Sequence, residues 1–360
     1  MRVAYLCSAD SYRGSAVSFE HLALGLARHG GVARVFTGHE VLTVPLRASG
    51  VDVVQLDLRS TSLRTAIRLR LELKKFGAEA LVVDRPRDLR LGMLATYGSP
   101  VRLVSRYNAH AARPPHDALT RLAYRFGVSS TIFLTDEMAE RILRVAPWMA
   151  RAGHRVIAEG VDTEAFQPDA AAAAAFRARH GLGDEPFVLS VSALTVEKRL
   201  QMIFDAMYEM PGSPTLVMCG EGPMQEKLAS LADVLDVRVR FLGRLPRREL
   251  RGAYSAAGVL AHACDVETFG LSVLEAMSCG CPVVGVRAGG LREVVGEDGV
   301  AGVLVAPDAA EDMGREISRL LRDRELADGM GRAARARAVE RFALDRMHEE
   351  YAQAAQDART

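Results

Sequence analysis

Two glutamates eight positions apart, Glu267 and Glu275, form the pattern with the clearest chemical meaning in this sequence of 360 residues. Glu267 follows an apolar run that ends near Ala263, and Glu275 lies on a helix that Gly270 is predicted to open. The first-turn amides of 269–272 and the helix dipole would favour a phosphate or sugar oxygens. Carboxylates on either side can accept hydrogen bonds from sugar hydroxyl groups. The alternative is two surface glutamates that flank an amphipathic helix.

Lys198 is a second candidate, because it stands where a strand is expected to lead through a loop into a helix. The segment from Ser190 to Arg199 predicts a buried strand, a short loop and a helix that begins near Glu197. A lysine in that loop is a mobile point charge, which suits a diphosphate. Only four of the 46 basic residues are lysines, so we favour a specific role over an incidental surface Lys-Arg pair.

The turn after the first strand contains Gly14, just before a predicted helix that begins at Ser15. A glycine there lets the backbone approach a phosphate, with the helix amides behind it. An ordinary turn between a strand and a helix could have the same sequence, so this pattern is weak by itself.

Alternating apolar runs and helical stretches are expected to position these residues. The expected strands are 3–7, 33–37, 51–56, 80–84, 101–107, 131–135 and 155–158, then 187–194, 215–219, 237–242, 259–263, 282–286 and 302–305. This alternation predicts an α/β fold with parallel sheets covered on both faces. Turn residues from Gly160 and an alanine run from Ala170 indicate a break between two domains. Such sheets bind ligands beyond the carboxyl ends of their strands, so we expect the site in a cleft between two facing domains.

The overall net charge of +1 conceals two halves of opposite sign. Residues 1–160 contain 23 basic and 14 acidic residues, whereas the remainder contains 46−23 = 23 basic and 45−14 = 31 acidic residues. Opposite charges suggest two domains with different partners. A basic first half could face phosphates, nucleic acid or an anionic membrane, or could simply be a solvated surface.

Several classes of protein are disfavoured by what the sequence lacks. Five cysteines, without paired CxxC motifs, indicate neither a disulfide framework nor a zinc ribbon. No Asp-x-Asp, HExxH or GxSxG motif is present, and no GxGxxG follows the first strand, so we expect neither a bound metal nor a nicotinamide cofactor. No apolar run approaches the ~18 residues of a membrane span, and no signal peptide is evident, so a cytoplasmic protein is expected.

The region around the two glutamates resembles the retaining glycosyltransferases of family 4, whose fold is GT-B. The resemblance rests on the segments Glu267–Glu275, Glu275–Gly285 and Gly289–Val295, and extends to Gly220–Pro223, Phe241–Arg244 and Glu159–Asp162. Glu159 stands where the family usually has asparagine. The resemblance implies two Rossmann-like domains facing each other across a cleft. The first would bind the acceptor over 1–165, with a helix at about 343–360 packing back on it, and the second would bind the nucleotide sugar over 166–342.

The resemblance also implies roles for single residues. Glu275 would hold the ribose hydroxyls, Glu267 and the amides after it would engage the donor sugar, and Lys198 would hold the diphosphate. The family usually has a second phosphate-binding arginine where this chain has Ala193. One cation of the phosphate site is therefore missing, unless Arg199 or another arginine replaces it. The expected donor-binding residues are Gly14, Arg199, Gly222, Arg244, Phe269, Gly270, Leu271 and Glu275.

The expected catalytic residues are Lys198, Glu267 and a histidine of the first domain. By order along the chain His110 corresponds to the family's histidine, although Asn108 could fill that role and a water-exposed loop histidine is the alternative. Further candidates on the acceptor side are Asp84, Arg85 and Arg106, in addition to Asn108.

Together these features predict a retaining, metal-independent hexosyltransferase that uses a nucleotide diphosphate sugar, with a UDP-sugar as the first choice. The acceptor would be a small molecule or a glycan, in carbohydrate or specialised-metabolite biosynthesis, and no nucleic acid is expected as a partner. A nucleotide-sugar 2-epimerase of the same fold and a non-catalytic nucleotide-sugar-binding protein remain as alternatives.

One predicted helix of the basic half, over 61–75, leaves three interpretations open. Leu63, Ile67 and Leu71, with Ala66, form an apolar stripe beside Arg64, Arg68 and Lys75. We favour a helix that packs this stripe on the sheet and leaves the arginines in water. Contact with an anionic membrane and binding of an anionic acceptor are the alternatives.

Overall fold

Two parallel β-sheets, each in its own compact unit, organise the chain in the computed structural model. The structure describes residues 1–10, 14–58, 61–108, 117–208, 210 and 214–357. The first unit comprises Met1–Glu159 and Leu344–Thr360, and the second comprises Gly160–Ala343. In the described parts of the chain, no helix combines the length and apolar composition needed to span a membrane.

The first unit contains a seven-stranded parallel sheet in the order β3-β2-β1-β4-β5-β6-β7. Its strands are β1 (Arg2–Cys7), β2 (Val32–Thr37), β3 (Val53–Gln55), β4 (Ala80–Val83), β5 (Arg102–Tyr107), β6 (Val128–Phe133) and β7 (His154–Val156). Its helices are α1 (Ser15–Arg28), α2 (Glu40–Ala48), α3 (Leu63–Phe76), α4 (Pro86–Thr96), α5 (Ala118–Phe126), α6 (Asp136–Val145) and the C-terminal helix numbered α15 (Leu344–Asp357). Because β4 is buried throughout its length, its run of apolar residues needs helices on both sheet faces.

The second unit contains a six-stranded parallel sheet in the order β10-β9-β8-β11-β12-β13. Its strands are β8 (Val188–Val191), β9 (Leu216–Cys219), β10 (Val239–Phe241), β11 (Val259–His262), β12 (Val283–Val286) and β13 (Val303–Val305). Its helices are α7 (Ala170–Arg179), α8 (Gln201–Tyr208), α9 (Gln225–Leu235), α10 (Arg247–Ala256), α11 (Leu271–Ser278), α12 (Leu291–Val295), α13 (Ala310–Arg322) and α14 (Arg324–Phe342). Strands β8, β9, β11 and β12 are almost entirely buried and form the centre of this core.

The two units divide between Glu159 and Gly160, not after residue 165 as expected. Glu159 is buried in the first unit, where it forms an ion pair with Arg106 and accepts a hydrogen bond from the Ser18 hydroxyl. Val161, by contrast, donates its amide to the Phe342 carbonyl of the second unit. These opposite attachments fix the division within two residues.

The predicted helix start near Glu197 is wrong, because the backbone turns sharply after Lys198. Val196–Lys198 form a single 3₁₀ turn, Arg199 adopts a left-handed conformation with φ of 49°, and α8 begins at Gln201. A left-handed residue cannot continue a right-handed helix. Lys198 therefore lies in a loop after β8.

The favoured packing of the helix predicted over 61–75 is also wrong. Helix α3 buries Ala66, Leu69, Leu73 and Phe76, whereas the stripe of Leu63, Ile67 and Leu71 is 68%, 50% and 53% exposed. Both sets have helical spacing. The buried set includes Phe76, whose large aromatic side chain gains most from burial.

Candidate functional site

Lys198 and Glu267 meet at the place where the second sheet changes direction. From β8 the chain continues outward through β9 and β10 on one side, and from β11 through β12 and β13 on the other. Ligands of open α/β sheets bind at such a switch point, beyond the carboxyl ends of the strands. Lys198 follows β8, Glu267 follows β11, and Lys198 Nζ donates to Glu267 Oε2 at 2.7 Å.

His262, at the end of β11, is a third member of this cluster that the sequence reasoning missed. Its Nε2 lies 3.2 Å from Glu267 Oε2, and its side chain is buried. Burial alone would raise the pKa of Glu267, but the hydrogen bond with His262 and the charge of Lys198 hold it well below its usual range. A histidine within an otherwise apolar strand, five positions before the glutamate, is the signal that could have identified it.

The donor atoms of His262, Cys264 and Glu267 all lie within 4.8 Å of one another, a spacing that could accommodate a metal ion. The Lys198 ammonium, however, contacts the same carboxylate oxygen of Glu267. A cation bound there would stand beside a fixed positive charge, so this donor set fits a metal poorly.

Glycines bring a neighbouring loop against the backbone of Glu267. The amide of Gly290 donates to the Glu267 carbonyl at 3.0 Å. A Cβ on Gly289 would lie 2.1 Å from that oxygen, and one on Gly290 would lie 2.4 Å from the Thr268 carbonyl. Only residues without a side chain permit this approach, which holds the loop before α11 in place.

Gly270 opens α11 at the C-terminal end of this loop. It adopts φ of 96° and, having no side chain, leaves the first-turn amides of the helix without a side-chain cap from its N-cap position. The amide of Leu271 belongs to that first turn, at the positive end of the helix dipole. The side chain of Phe269 is buried against Phe342, so only its backbone remains available to a ligand.

The glycine-rich turn after β9 packs on the loop that leads to Lys198. A Cβ on Gly222 would lie 2.3 Å from the Leu194 carbonyl, and the Leu194 amide donates to the Glu221 carbonyl at 3.0 Å. The Arg244 amide lies 3.4 Å from Glu221 Oε1, and the Arg244 side chain is exposed. The structure thus brings the Gly222 turn and the Lys198 loop together.

Arg199 is committed to two carboxylates. Its guanidinium forms ion pairs with Asp265, in the loop after β11, and with Asp308. It therefore lies beside the Lys198–Glu267 cluster, but a phosphate would have to compete with both acidic groups for it.

Glu275 is buried within the second unit, and both of its carboxylate oxygens have partners. Arg247 Nη2 lies 2.9 Å from Oε1, and the Tyr254 hydroxyl donates to Oε2 at 3.1 Å. Burial raises the pKa of Glu275, although Arg247 opposes that effect. The carboxylate is held rigidly, on the α11 face turned toward α10.

In the first unit, Gly14 and Asp84 follow the two strands at the corresponding switch point, β1 and β4. Gly14 adopts φ of 36° as the residue before α1, and nothing lies within 4 Å of a Cβ built on it. Arg85 follows Asp84 and precedes α4. Close by, the Ser8 amide donates to Asp88 Oδ2 at 3.0 Å, and burial raises the pKa of Asp88 to about 6.

The remaining acceptor-side candidates are Arg106 and Asn108. Arg106 is buried in the core, where it pairs with Glu159 and donates from Nε to the Tyr351 hydroxyl of α15 at 3.0 Å. It is a core residue and is not available to an acceptor. Asn108 follows β5 and is half-buried, whereas His110 lies outside the described residues.

A family model described as glycosyl transferases group 1 matches residues 173–337. The match lies within the second unit and includes Lys198, Glu267 and Glu275.

Two curated relatives match about half of the chain. A sulfoquinovosyl transferase of Arabidopsis thaliana is 37% identical over 180 residues, which cover 49% of this chain and 35% of that protein. A GDP-mannose-dependent alpha-(1-6)-phosphatidylinositol monomannoside mannosyltransferase of Mycolicibacterium smegmatis is 36% identical over 195 residues, 51% of each protein. The chain thus spans about half or less of the length of these two relatives.

The fold has counterparts among solved structures. The crystal structure of Anabaena HepE in complex with UDP and glucose has a TM-score of 0.85 to this chain, covers 99% of both chains and is 21% identical. This similarity confirms the predicted α/β class, with two Rossmann-like sheets of the GT-B type.

Proposed function

We propose, from the match of residues 173–337 to the glycosyl transferases group 1 model, that the chain transfers a sugar from a nucleotide diphosphate sugar to an acceptor hydroxyl. The observation that carries the proposal is the Lys198–Glu267 pair at the switch point of the second sheet. One member is a cation suited to a diphosphate, and the other is an anion suited to sugar hydroxyls.

The reaction separates a sugar from a diphosphate, so negative charge grows on the leaving oxygen. In the proposed site, Lys198 moves its ammonium from Glu267 toward that oxygen, and the first-turn amides of α11 donate to the same group or to the sugar. Glu267 then accepts hydrogen bonds from the sugar hydroxyls, and Glu275 accepts from the ribose.

We propose retention at the anomeric carbon without a metal ion. The bond from the anomeric carbon to the diphosphate breaks, and the acceptor oxygen bonds to the same face of the sugar. The acceptor's proton passes to the leaving phosphate oxygen, so no protein nucleophile is required. The ammonium of Lys198 would supply the electrostatic stabilisation that a metal ion provides in other enzymes.

The second unit would bind the donor, and the first would bind the acceptor. Gly14 offers the α1 amides to the donor phosphates, while Asp84 and Arg85 contact the acceptor. The acceptor would be a small molecule or a glycan. His110, or Asn108 in its place, would contact the donor sugar in the role that the family gives to a histidine.

The alternative of a non-catalytic nucleotide-sugar-binding protein is favoured by one observation. Ala193 supplies no cation, and Arg199 is paired with two carboxylates, so Lys198 would act without the second cation that the family usually provides. A nucleotide-sugar 2-epimerase would instead release free nucleotide from the donor alone.

The first test is a thermal-shift screen against UDP-, GDP-, ADP- and TDP-sugars. UDP-glucose comes first because HepE was solved with UDP and glucose, and GDP-mannose second because the M. smegmatis relative depends on it. A donor at 100 times its Kd would stabilise the fold by about 2.7 kcal/mol. Turnover of the bound donor with and without acceptors then decides among the three functions. Stabilisation by no nucleotide sugar would contradict the proposal.

A further inference from the structure

The outer face of three neighbouring helices in the first unit combines exposed apolar side chains with a high density of cations. The residues Leu63, Ile67 and Leu71 of α3 are at least half exposed. Helix α3 packs against α4, and α4 packs against α5. Helix α5 continues the pattern, with Leu119 and Phe126 56% and 60% exposed.

These helices lie on one side of the first sheet. They connect β3 to β4, β4 to β5 and β5 to β6, successive steps in one direction along the sheet. Because crossover connections between parallel strands are right-handed, steps in one direction place their helices on the same face. The exposed side chains of α3, α4 and α5 therefore belong to one surface, which we call the basic apolar face.

The basic apolar face carries a strong positive charge. Helices α3, α4 and α5 together contain nine basic and two acidic residues. Asp88 is buried, and Glu72 pairs with Lys75. In the described ranges, Arg64 and Arg68 have no carboxylate partner, so their charge is available to an anionic surface.

We propose that the basic apolar face binds the surface of an anionic lipid bilayer. Interfacial amphipathic helices insert apolar side chains into the boundary between headgroups and acyl chains. Their arginines and lysines reach the surrounding phosphates. The cations contribute electrostatic attraction to the free energy of membrane binding, and Leu63, Ile67 and Phe126 contribute burial of apolar surface.

Charge argues against the alternative occupant, a second copy of the chain. A symmetric dimer through this face would place two surfaces of the same sign against each other, which opposes association. A bilayer containing anionic lipid has the opposite sign. It also accepts scattered apolar side chains without requiring a complementary pocket.

The test is sedimentation of the full chain with vesicles of phosphatidylcholine alone and of phosphatidylcholine with about one third phosphatidylglycerol, at low and at physiological salt. We expect binding to the anionic vesicles that weakens as salt rises. The double variant Arg64→Gln/Arg68→Gln should lower the partition coefficient by about 30-fold, since each cation near such a surface contributes about one factor of five. The matched control Arg324→Gln/Arg332→Gln makes the same charge change on α14 of the second unit and should bind as the wild type does.

The apolar half of the proposal is tested by Ile67→Gln/Phe126→Gln, whose wild-type side chains are exposed, so that folding should persist. Weaker vesicle binding at both salt concentrations is expected. Binding unchanged in this variant would show general polyanion binding and overturn the proposal, as would wild-type chain that stays in the supernatant at low salt. An arginine-dependent dimer without vesicle binding, seen by light scattering, would overturn it in favour of self-association. No donor sugar is present in these measurements, so their outcome is independent of the proposed transfer reaction.

Discussion

Replacing Lys198 with methionine removes the ammonium and keeps most of the side-chain volume, so it tests the proposed charge stabilisation directly. Lys198 Nζ lies 2.7 Å from Glu267 Oε2, and the two side chains are 19% and 11% exposed. At that distance and an effective dielectric constant of about 20, one charge pair is worth about 6 kcal/mol before desolvation.

A diphosphate oxygen that takes this position gains less, because the ammonium must give up part of its contact with Glu267. About half of the Coulomb term, roughly 3 kcal/mol, is then available to the transition state. We expect kcat to fall by about 10²-fold, similar to the loss of one oxyanion-stabilising group.

The assay measures release of nucleoside diphosphate at saturating donor and acceptor. Lys227→Met is the matched control, because Lys227 is an exposed lysine of α9 in the same unit and the charge change is identical. Lys198→Arg keeps the charge but not the geometry and should lie between the two. A Lys198→Met enzyme that is folded and retains kcat within threefold of the wild type would refute the reasoning.

Three further outcomes follow from the buried carboxylates and the arginine that pairs with one of them. Glu275→Ala should raise the donor Kd measured by titration and change kcat little, if Glu275 holds the ribose; an unchanged Kd would assign that role elsewhere. Arg106→Met should lower the free energy of unfolding by about 3–5 kcal/mol in urea titrations, because it leaves Glu159 buried without its partner, and a loss below 1 kcal/mol would contradict this. Asp88 has a pKa raised to about 6, against about 3.9 unfolded, so the native state binds the extra proton and stability falls as pH rises between these values. In Asp88→Asn, whose amide oxygen can still accept a hydrogen bond from Ser8, this loss of unfolding free energy, up to about 3 kcal/mol in the wild type, should be absent. A wild-type pH profile of stability in the variant would contradict this.

The sheet architecture could be predicted because buried parallel strands are short apolar runs that helices must separate. The same reasoning placed Lys198 and Glu267 at carboxyl ends of strands. Their proximity depends on strand order, which no local pattern encodes. Strands β8 and β11 are adjacent in the sheet, although β9 and β10 lie between them in the sequence. Only the topology brings their loops together.

The side chains that the sequence placed wrongly share a physical cause. In α3, two apolar sets with helical spacing compete for the core, and burial of Phe76 with Leu69 and Leu73 leaves Leu63 and Ile67 outside. Local periodicity cannot rank two such sets, because the ranking depends on the volume beneath the helix. Arg106 is a candidate for the acceptor side because it is a polar residue near the end of a strand, yet Glu159, 53 positions away, compensates its charge in the core.

The wrong prediction for the start of α8 did not change the predicted location of Lys198 at the carboxyl end of β8. A helix beginning at Glu197 would have fixed the lysine on its first turn, whereas the 3₁₀ turn and the left-handed Arg199 leave it in the loop after β8. In both cases Lys198 follows the carboxyl end of β8, and a lysine side chain is long enough to reach Glu267 from there. The observed backbone differs from the predicted one in the direction of the Arg199 side chain, which pairs with Asp265 and Asp308. The missing cation at Ala193 is therefore not simply replaced by the next arginine, and Lys198 carries the charge stabilisation of the proposed site.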